Sequence, residues 1–594
     1  MRGQYDVIRE DEIILLLHGD ESEISDNEII SDDENEDSDP SVLLPLPEQK
    51  QDELHRENIL EDPLTDDETP LAERLENLDS GNASRTSYTW VCKDLEAVNV
   101  PCYVKFSDPP SEEHSPLNYF ENFIDEDIID NLVTQTNLYS TQVLCQSINT
   151  NAGEIRQFIG IHLLTGIMSV PSYKMYWANE TRYSQIADVM PLRRFYQLRR
   201  YLHVNDNAKI LPRDDPHHDK LFKVRPFLER LRENFLKTEV EEFNSIDELM
   251  IPLKSHTSMR QYIKSKPHRW GIKVFARAGV SGYIYDFEVY VGKGTKTVGD
   301  AELGMSGNVV MRLIENVPRH ANYKVFMDNW FTSLNLAATL KNEGIFIVGT
   351  IRKNRLSGCQ LKSDAELKRE GRGTCDYKIN EENNLIVLKW YDNKAVYLTS
   401  TYKGKEPVEN VQRWSQKKRS YIQVPRPNIV QEYNTYMGGV DLHDMLVQIY
   451  RINIKSKRYY LRIIFHFIDM ACVNAWLLYR RHCGQRNTKY VPLLKFRSMI
   501  ASALLQKGIT PSARKKGRPS SESPRPSTPK RKPKAIRPVA DVRFDQMGHW
   551  PEHLDSKSRC KLCINAYSRV KCSKCNVALC FNKHNNCFKT FHCK

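Results

Sequence analysis

No secretory signal is visible in the 594 residues, and we expect none, because the first residues are acidic and no small-residue cleavage site follows them. The chain also lacks a long uncharged apolar run. The longest apolar stretch, 459–479, contains Arg462, His466 and Asp469, so we predict a buried helix and no membrane span. Only seven of the fourteen cysteines precede residue 560. We therefore expect an intracellular, reduced protein without a disulfide scaffold.

Basic residues are scarce in the first 80 positions, where 27 acidic residues accompany 5 basic ones. This segment has a net charge of −22, which leaves +31 for the rest of the chain. Its composition predicts disorder over residues 1–85. A basic body with an acidic terminal segment is typical of proteins that bind a polyanion. A solvated surface of mixed charge also explains any single basic cluster.

Hydrophobic periodicity divides the body of the chain. Helical spacing begins near residue 115, and alternation typical of strands begins near residue 243. Strands mixed with helices predict a central α/β layer. The individual predictions are a hairpin turning at 279–282, strands at 324–328 and 345–350, a helix at 334–342, a hairpin over 385–398 and an amphipathic helix beginning near Asp441.

Three aspartates stand at or just beyond apolar runs that are strand-like or turn-like: Asp247, Asp328 and Asp441. Carboxylates brought together from distant segments can hold two divalent cations for phosphoryl transfer. An aspartate at a strand end is more often a turn or cap residue. The spacing alone leaves both interpretations open.

Four blocks of sequence resemble the piggyBac-type DNA transposases. They are Ser-Ile-Asp-Glu at 245–248, Met-Asp-Asn-Trp-Phe-Thr-Ser at 327–333, Gly-Thr-Ile-Arg at 349–352 and Tyr-Asn-Thr-Tyr-Met-Gly-Gly-Val-Asp at 433–441. The resemblance covers about residues 115–480 and resumes in the cysteine-rich tail. It implies an α/β, RNase H-like catalytic core with an inserted β-rich unit, flanking helical segments for DNA binding and dimerisation, and a nuclear protein.

By this resemblance Asp247, Asp328 and Asp441 form a catalytic triad that binds Mg²⁺ or Mn²⁺, with Asp444 as an accessory carboxylate. The implied reaction is cut-and-paste transposition: one strand is cut, its 3′-hydroxyl forms a hairpin with the opposite strand, and the reopened end is joined to a TTAA target. The implied partners are double-stranded DNA, as terminal inverted repeats and target, and a second copy of the chain. Neither a membrane nor a small-molecule substrate is implied.

Basic clusters near the proposed site predict contacts with DNA phosphates, and ordinary surface charge is the alternative. Many relatives have tryptophan where this chain has Tyr459, which offers less surface for stacking on a base. In the tail linker, the Gly-Arg-Pro around Arg518 resembles an AT-hook, and together with residues 530–534 it could equally direct nuclear import. The candidate DNA contacts are Arg260, Lys264, Lys266, Arg269, Arg352, Arg355, Lys417, Lys418, Arg458, Tyr459 and Arg518.

The tail carries four pairs of cysteine and histidine within 33 residues, enough for two tetrahedral Zn²⁺ ions. A cross-brace, as in the family it resembles, implies recognition of transposon-end DNA. Similar modules recruit ubiquitin-conjugating enzymes or read histone tails, which is one rival; a domesticated DNA-binding protein without cleavage activity is another. The cross-brace assigns Cys560, Cys563, Cys580 and His584 to one ion and Cys572, Cys575, Cys587 and His592 to the other, with Cys593 competing for the last position.

These patterns together predict the organisation of the chain. The predicted segments are a disordered acidic region at 1–85, helical DNA-binding and dimerisation segments at 100–242 and 451–508, catalytic segments at 243–355 and 431–450, an insertion at 356–430, a basic linker at 509–540 and a zinc-binding domain at 556–594.

Overall fold

A computed structural model describes residues 88–95, 100–102, 104, 106–111, 114–255, 257–263, 266, 268–416, 418–507, 543–544, 548–563 and 565–593. The described residues form two compact units, one ending at Lys507 and the other beginning at Arg543. The predicted acidic region at 1–85, the linker at 509–540 and the candidate DNA contacts Lys264, Lys417 and Arg518 lie outside the described residues.

Helices open and close the first unit, as the periodicity predicts. Ser115, Asp125 and Asn151 cap the first three helices, because each side chain accepts a hydrogen bond from the backbone N–H three residues later. The described helices are α1 Pro116–Glu121, α2 Glu126–Leu144, α3 Ala152–Ile167, α4 Ser184–Ala187, α5 Leu192–Tyr201, α6 Arg225–Leu236, α7 Gly304–Leu313, α8 Leu334–Asn342, α9 Asp364–Glu370, α10 Asn428–Tyr436, α11 Gly439–Ile449, α12 Tyr459–Gln485 and α13 Leu493–Lys507.

A mixed sheet lies between the helical segments. The described strands are β1 Phe243–Pro252, β2 Arg260–Tyr262, β3 Trp270–Gly279, β4 Ile284–Val289, β5 Lys324–Met327, β6 Phe346–Thr350, β7 Cys375–Asn380, β8 Leu385–Tyr391, β9 Ala395–Ser400, β10 Glu409–Ser415 and β11 Ser420–Arg426. Strand β1 pairs antiparallel with β3 and parallel with β5, and β5 pairs parallel with β6. The predicted strands, hairpins and helices within 272–398 are present, and the predicted mixed α/β core is confirmed.

The predicted insertion at 356–430 is not set apart from this sheet. Strand β9 pairs antiparallel with β6, and β8 and β7 follow it, so the central sheet continues through the first part of the segment. Only β10 and β11 form a separate two-stranded sheet among the described strands of this segment. The first part of the segment therefore adds strands to the central sheet, and an insertion bounded at 356 and 430 stays a prediction. Alternating strand residues reveal a hairpin but not the sheet edge to which it adds.

Helix α12 is long and apolar enough to cross a membrane by length and composition, but 94% of its most apolar window is buried in the fold. It is the buried helix that the sequence predicts. Phe467 packs on Phe287 of β4 with ring centroids 4.5 Å apart, and the Asn474 side chain bonds both the N–H and the carbonyl of Ile284. The helical segments and the hairpin of the sheet therefore share one core.

A buried ion pair joins α12 to α13. The Arg497 guanidinium donates to Asp469 at 2.7 Å, and the other carboxylate oxygen accepts from the Ile452 N–H at 2.9 Å. The two side chains are 2% and 0% exposed. Because burial removes the solvation of both charges, each needs the other.

Arg497→Met should lower the free energy of unfolding of the first unit by about 3–5 kcal/mol, since it leaves the Asp469 carboxylate buried without its partner. Urea denaturation followed by circular dichroism measures this change. Lys495→Met, at an exposed position of the same helix, is the matched control and should stay within about 0.5 kcal/mol of the wild type. Equal stability of the two variants would contradict the prediction.

Candidate active site

The parallel register of β1 and β5 places two of the predicted catalytic aspartates side by side. Ile246 is opposite Met327 in this register, and Asp247 and Asp328 are the next residue on each chain segment. Residues at matching positions of adjacent strands have their side chains on the same face of the sheet. The two carboxylates therefore lie close enough for the charge of Asp328 to raise the pKa of Asp247.

A tight turn fixes Asp328 at the end of β5. Its carboxylate accepts the Trp330 N–H at 2.9 Å, and its carbonyl accepts the Thr332 hydroxyl at 2.8 Å. The indole of Trp330 stacks on Phe275, with ring centroids 5.1 Å apart and planes 16° apart. The Arg355 guanidinium donates to the carbonyls of Trp330 and Thr332 at 2.8 and 2.9 Å. The Asp-Asn-Trp-Phe-Thr block is thus a rigid support for one carboxylate.

A close helix–sheet contact brings Asp441 to this place. A Cβ atom at Gly439 would lie 2.4 Å from the Gly279 carbonyl and 2.7 Å from the Ser245 hydroxyl, so only glycine allows α11 to approach β1 and β3 this closely. The buried His443 ring donates from Nδ1 to the Gly282 carbonyl at 2.9 Å. Helix α11 therefore begins directly over the strand that carries Asp247.

Lys266 is the cation among these carboxylates. Its Nζ donates to the Glu248 carbonyl at 3.0 Å and lies 3.7 Å from Asp441 Oδ1. Its charge also opposes the rise that burial causes in the pKa values of Asp247, Asp328 and Asp444. The sheet, the turn after β5 and the start of α11 therefore bring all four predicted carboxylates around one positive charge.

Burial is the main cause of the pKa shifts in this cluster. It raises the pKa of Asp247 to about 7 against the opposing charge of Lys266, and it raises those of Asp328, Asp444 and Glu248. Half-buried carboxylates that destabilise one another are stabilised by divalent cations, and their hard oxygen atoms suit Mg²⁺ or Mn²⁺. The donor set thus fits the metals implied by the resemblance.

Glu248 belongs to this cluster although the sequence did not single it out. Its carbonyl accepts a hydrogen bond from Lys266, and its pKa is raised by burial and also by the charges of Asp328 and Asp441. The sequence signal that could have identified Glu248 was its position directly after Asp247 in the Ser-Ile-Asp-Glu block. Adjacent residues of a strand point to opposite faces of the sheet, so the alternation predicts that Glu248 points away from Asp247.

The apparent affinity of the chain for Mn²⁺ should fall about tenfold for each pH unit below 7 and level off above it. Below its raised pKa of about 7, Asp247 holds a proton that a metal ion must displace, and above that pH it is already ionised. Electron paramagnetic resonance of free Mn²⁺ between pH 5.5 and 8.5 measures the affinity. A constant affinity between pH 5.5 and 7 would contradict the shift.

The predicted DNA contacts divide into two groups. Arg352 and Arg269 are exposed, and Arg352 lies near enough to lower the pKa of Asp328. Arg260 lies over the Trp270 ring, 4.3 Å from its centroid. Lys418 is exposed on the turn between β10 and β11. These cations, with Lys266, remain candidates for phosphate contact.

Three other candidates are engaged within the fold. Arg355 supports the turn after β5, as described above. Arg458 donates to the Arg200 carbonyl at 2.6 Å, and the Tyr459 hydroxyl donates to the Lys220 carbonyl at 3.2 Å. Long basic and aromatic side chains can lie along the protein surface with their polar ends bonded inward, which the sequence cannot reveal.

The second unit is built on a small hairpin. Strand β12, Pro551–Arg559, pairs antiparallel with β13, Tyr567–Cys572, and a short helix α14, Cys587–His592, follows. Two groups of four side chains have their ligand atoms within 4.8 Å of one another. The first group is Cys560, Cys563, Cys580 and Cys587, and the second is His549, Cys572, Cys575 and His592.

Distances in both groups fit a tetrahedral metal. The Cys563 and Cys580 sulfur atoms are 3.8 Å apart, which matches the separation of about 3.8 Å for two thiolates bound tetrahedrally at the Zn–S distance. His549 Nδ1 lies 3.3 Å from the Cys572 sulfur. His592 donates from Nδ1 to the Phe588 carbonyl at 2.8 Å, so its Nε2 carries the lone pair that a metal needs.

These groups correct the predicted ligand sets in three places. Cys587 belongs with the pair Cys560 and Cys563 and not with Cys572, while His584 is exposed and a member of neither group. His549, which lies before the predicted boundary at 556, completes the second group. Of the two residues that competed for the last position, His592 is the member. The alternation of the pairs along the chain, predicted as a cross-brace, is present.

Pairing of the strands explains why His549 was missed. It precedes Cys560 by eleven residues, and the histidine at metal-ligand spacing from it, His553, is a member of neither group. The register places Pro551 opposite Cys572, and the backbone of Trp550 bonds to Ser573. His549 is thereby carried to the second cysteine pair, a contact that depends on the fold and not on spacing.

Comparison with known proteins identifies the class of protein. A model of a transposase family, described as Transposase IS4, matches residues 115–476. The chain resembles the human PiggyBac transposable element-derived protein 2, with 32% identity over 492 residues that cover 82% of this chain and 77% of that protein. It also resembles the human PiggyBac transposable element-derived protein 3, with 31% identity over 83% of this chain and 79% of that protein.

A solved structure supports the fold. The chain matches a structure described as a piggyBac transposase synaptic complex with hairpin DNA, with a TM-score of 0.57 and 22% identity, over 79% of this chain and 95% of that one. This likeness concerns the fold alone. The family match and the human relatives show that the chain belongs to the piggyBac transposase family.

Proposed function

We propose that this protein is a metal-dependent DNA transposase that excises a DNA element and joins it to a new site. The observation that carries the proposal is the convergence of Asp247, Asp328 and Asp441 from two adjacent parallel strands and a closely packed helix. Burial raises the pKa of Asp247 and of Asp328, and buried carboxylates that converge in this way bind divalent cations for phosphoryl transfer.

Asp247, Asp328 and Asp441 would hold the metal ions, with Asp444 and Glu248 beside them. When bound there, two divalent cations supply activation of the attacking oxygen and stabilisation of the leaving 3′-oxygen. The turn after β5 keeps the Asp328 carboxylate in one orientation, so little reorganisation is needed when substrate binds. Lys266 and Arg352 lie near these carboxylates and would neutralise phosphates beside the cut.

Membership of the family supports the finer parts of the proposal. They are hairpin formation at the transposon end, joining at TTAA, action as a homodimer and location in the nucleus. The zinc-binding tail, with two ions held by the groups described above, would recognise the transposon end. Lys561, Arg569, Lys571, Lys574 and Lys583 give it the positive charge that this task requires.

The proposal is tested with the purified full-length chain, Mg²⁺ or Mn²⁺, and duplex DNA that carries the inverted repeats found beside this gene next to TTAA. A denaturing gel resolves nicked strands from hairpin ends. We expect a nick first and a hairpin second, both absent in excess chelator. Binding to the repeats without any cleavage in either metal would contradict the proposal and favour a DNA-binding protein derived from a transposase.

A further inference from the structure

The hairpin of β10 and β11 carries a pair of exposed aromatic rings. Trp414 stands directly opposite Tyr421 in the antiparallel register. The ring centroids are 5.2 Å apart and the planes meet at 74°. The residues are 51% and 64% exposed, among the most exposed aromatic residues of the first unit.

The fold determines the exposure of this pair. Successive residues of a strand alternate between faces, and here Val411, Ile422 and Val424 turn inward and pack on the core formed around β8 and β9. Trp414 and Tyr421 occupy the other face. Large apolar side chains kept at the surface commonly mark a binding site.

The charge of the hairpin identifies the kind of partner. Residues 409–426 contain five basic residues and one acidic residue. The acidic one, Glu409, is at the open end of the hairpin and lies 3.6 Å from the Arg426 guanidinium. At the closed end, next to the two rings, Lys418 and Arg419 are both exposed. The rings thus adjoin a positively charged turn, which suits a polyanion.

We propose that Trp414 and Tyr421 form a stacking site for unpaired DNA bases, with Lys418 and Arg419 on the neighbouring phosphates. Aromatic side chains beside basic ones bind single strands in this way, because every base has a flat face that can stack. In fully paired DNA the flat faces of the bases are already stacked on one another and are not available to such a surface. The inference rests on the proposed function only in taking DNA as the ligand, since strand cutting and hairpin formation create unpaired bases.

Binding without cleavage tests this site separately from the proposed function. The full-length chain is titrated in the presence of chelator with two fluorescent DNAs of equal length, a fully paired duplex and the same duplex closed by a loop of four thymines. Fluorescence anisotropy then gives both affinities. Trp414→Ala and Tyr421→Ala should each weaken binding to the looped DNA about 5- to 150-fold and change binding to the duplex less than about twofold.

Three further variants separate stacking from charge and from folding. Trp414→Tyr should restore most of the affinity for looped DNA. The double variant Lys418→Ala with Arg419→Ala should weaken binding to both DNAs and reduce the slope of log affinity against log salt by about two. Gln412→Ala, on the same strand and face but without a ring, is the matched control and should behave as the wild type.

Two results would overturn the inference. In the first, the aromatic variants keep the wild-type affinity for looped DNA. In the second, analytical ultracentrifugation shows that they convert a dimer to a monomer while the preference for looped DNA persists, which would assign the rings to contact with a second copy. If the wild-type chain cleaves no DNA while the aromatic variants lose the preference for looped DNA, the proposed function is wrong and the stacking site is supported.

Discussion

Asp328→Asn is expected to reduce strand cleavage, and excision in cells, by about a thousandfold or more. The loss corresponds to the several kcal/mol that a metal ion contributes to a phosphoryl-transfer transition state. Asparagine has the same shape, and its side-chain oxygen can still accept the Trp330 N–H that now bonds to Asp328. The turn after β5 should therefore persist while the charge that holds a divalent cation is lost. Gel analysis of nicked and hairpin DNA measures the effect.

Two measurements distinguish this effect from a loss of folding or of DNA binding. Asp130→Asn, at an exposed position of α2, is the matched control and should cleave at the wild-type rate. Affinity of Asp328→Asn for the terminal repeats, measured in chelator, should stay within about threefold of the wild type because the variant removes a negative charge and no DNA contact. Cleavage by Asp328→Asn at a tenth of the wild-type rate would show that this carboxylate does not hold the metal.

The local elements of the core were predictable because each has its own pattern. The alternation over 272–291 and the turn at 279–282 predicted the β3–β4 hairpin, in which Gly282 has a φ of +86°. The apolar stripe after Asp441 gave α11. What no pattern contained was the parallel register of β1 and β5. Two short apolar segments that begin at Phe243 and Lys324 carry no mark of their alignment, so the sequence could suggest neighbouring strands for Asp247 and Asp328 but not the register that sets them side by side.

Long-range contacts of basic residues could not be predicted either. Arg352 and Arg355 are three residues apart and look alike in the sequence, but the first is exposed near Asp328 and the second bonds the backbone of the turn. An arginine has five donors on a long stem, and which carbonyls lie within its reach depends on the tertiary fold. The position of Lys266 among the carboxylates depends on the tertiary fold in the same way.

The extent of the central sheet could not be predicted from its separate segments either. The hairpin over 385–398 was predicted correctly, but its pairing with β6 was not predicted. An antiparallel hairpin can stand alone or add to an edge with the same side-chain alternation. The burial of β8 on nearly all of its residues is the mark of a central strand, and it became visible only in the fold.

The second large effect concerns the tail, where removing one ligand should remove one zinc ion. The wild-type chain should carry two Zn²⁺ ions, one for each group of four side chains. Cys587→Ser and His549→Ala should each leave one ion. His584→Ala should retain both, because His584 is exposed and lies in neither group. Inductively coupled plasma mass spectrometry of the purified full-length variants gives the number of zinc ions per chain. Loss of one ion in His584→Ala but not in His549→Ala would support the ligand set predicted from the sequence.

Loss of either ion should also unfold the tail, because structural zinc contributes about 10–16 kcal/mol in small domains and this unit has few other means of stability. The short helix α14 carries Cys587 of the first group at one end and His592 of the second at the other. Release of one ion therefore frees the helix that supports the other site. Limited proteolysis should then cut the tail of Cys587→Ser and His549→Ala at least about tenfold faster than that of the wild type, while the first unit, which is a separate compact unit, stays intact. A tail that resists protease after losing one ion would show that the two sites fold independently.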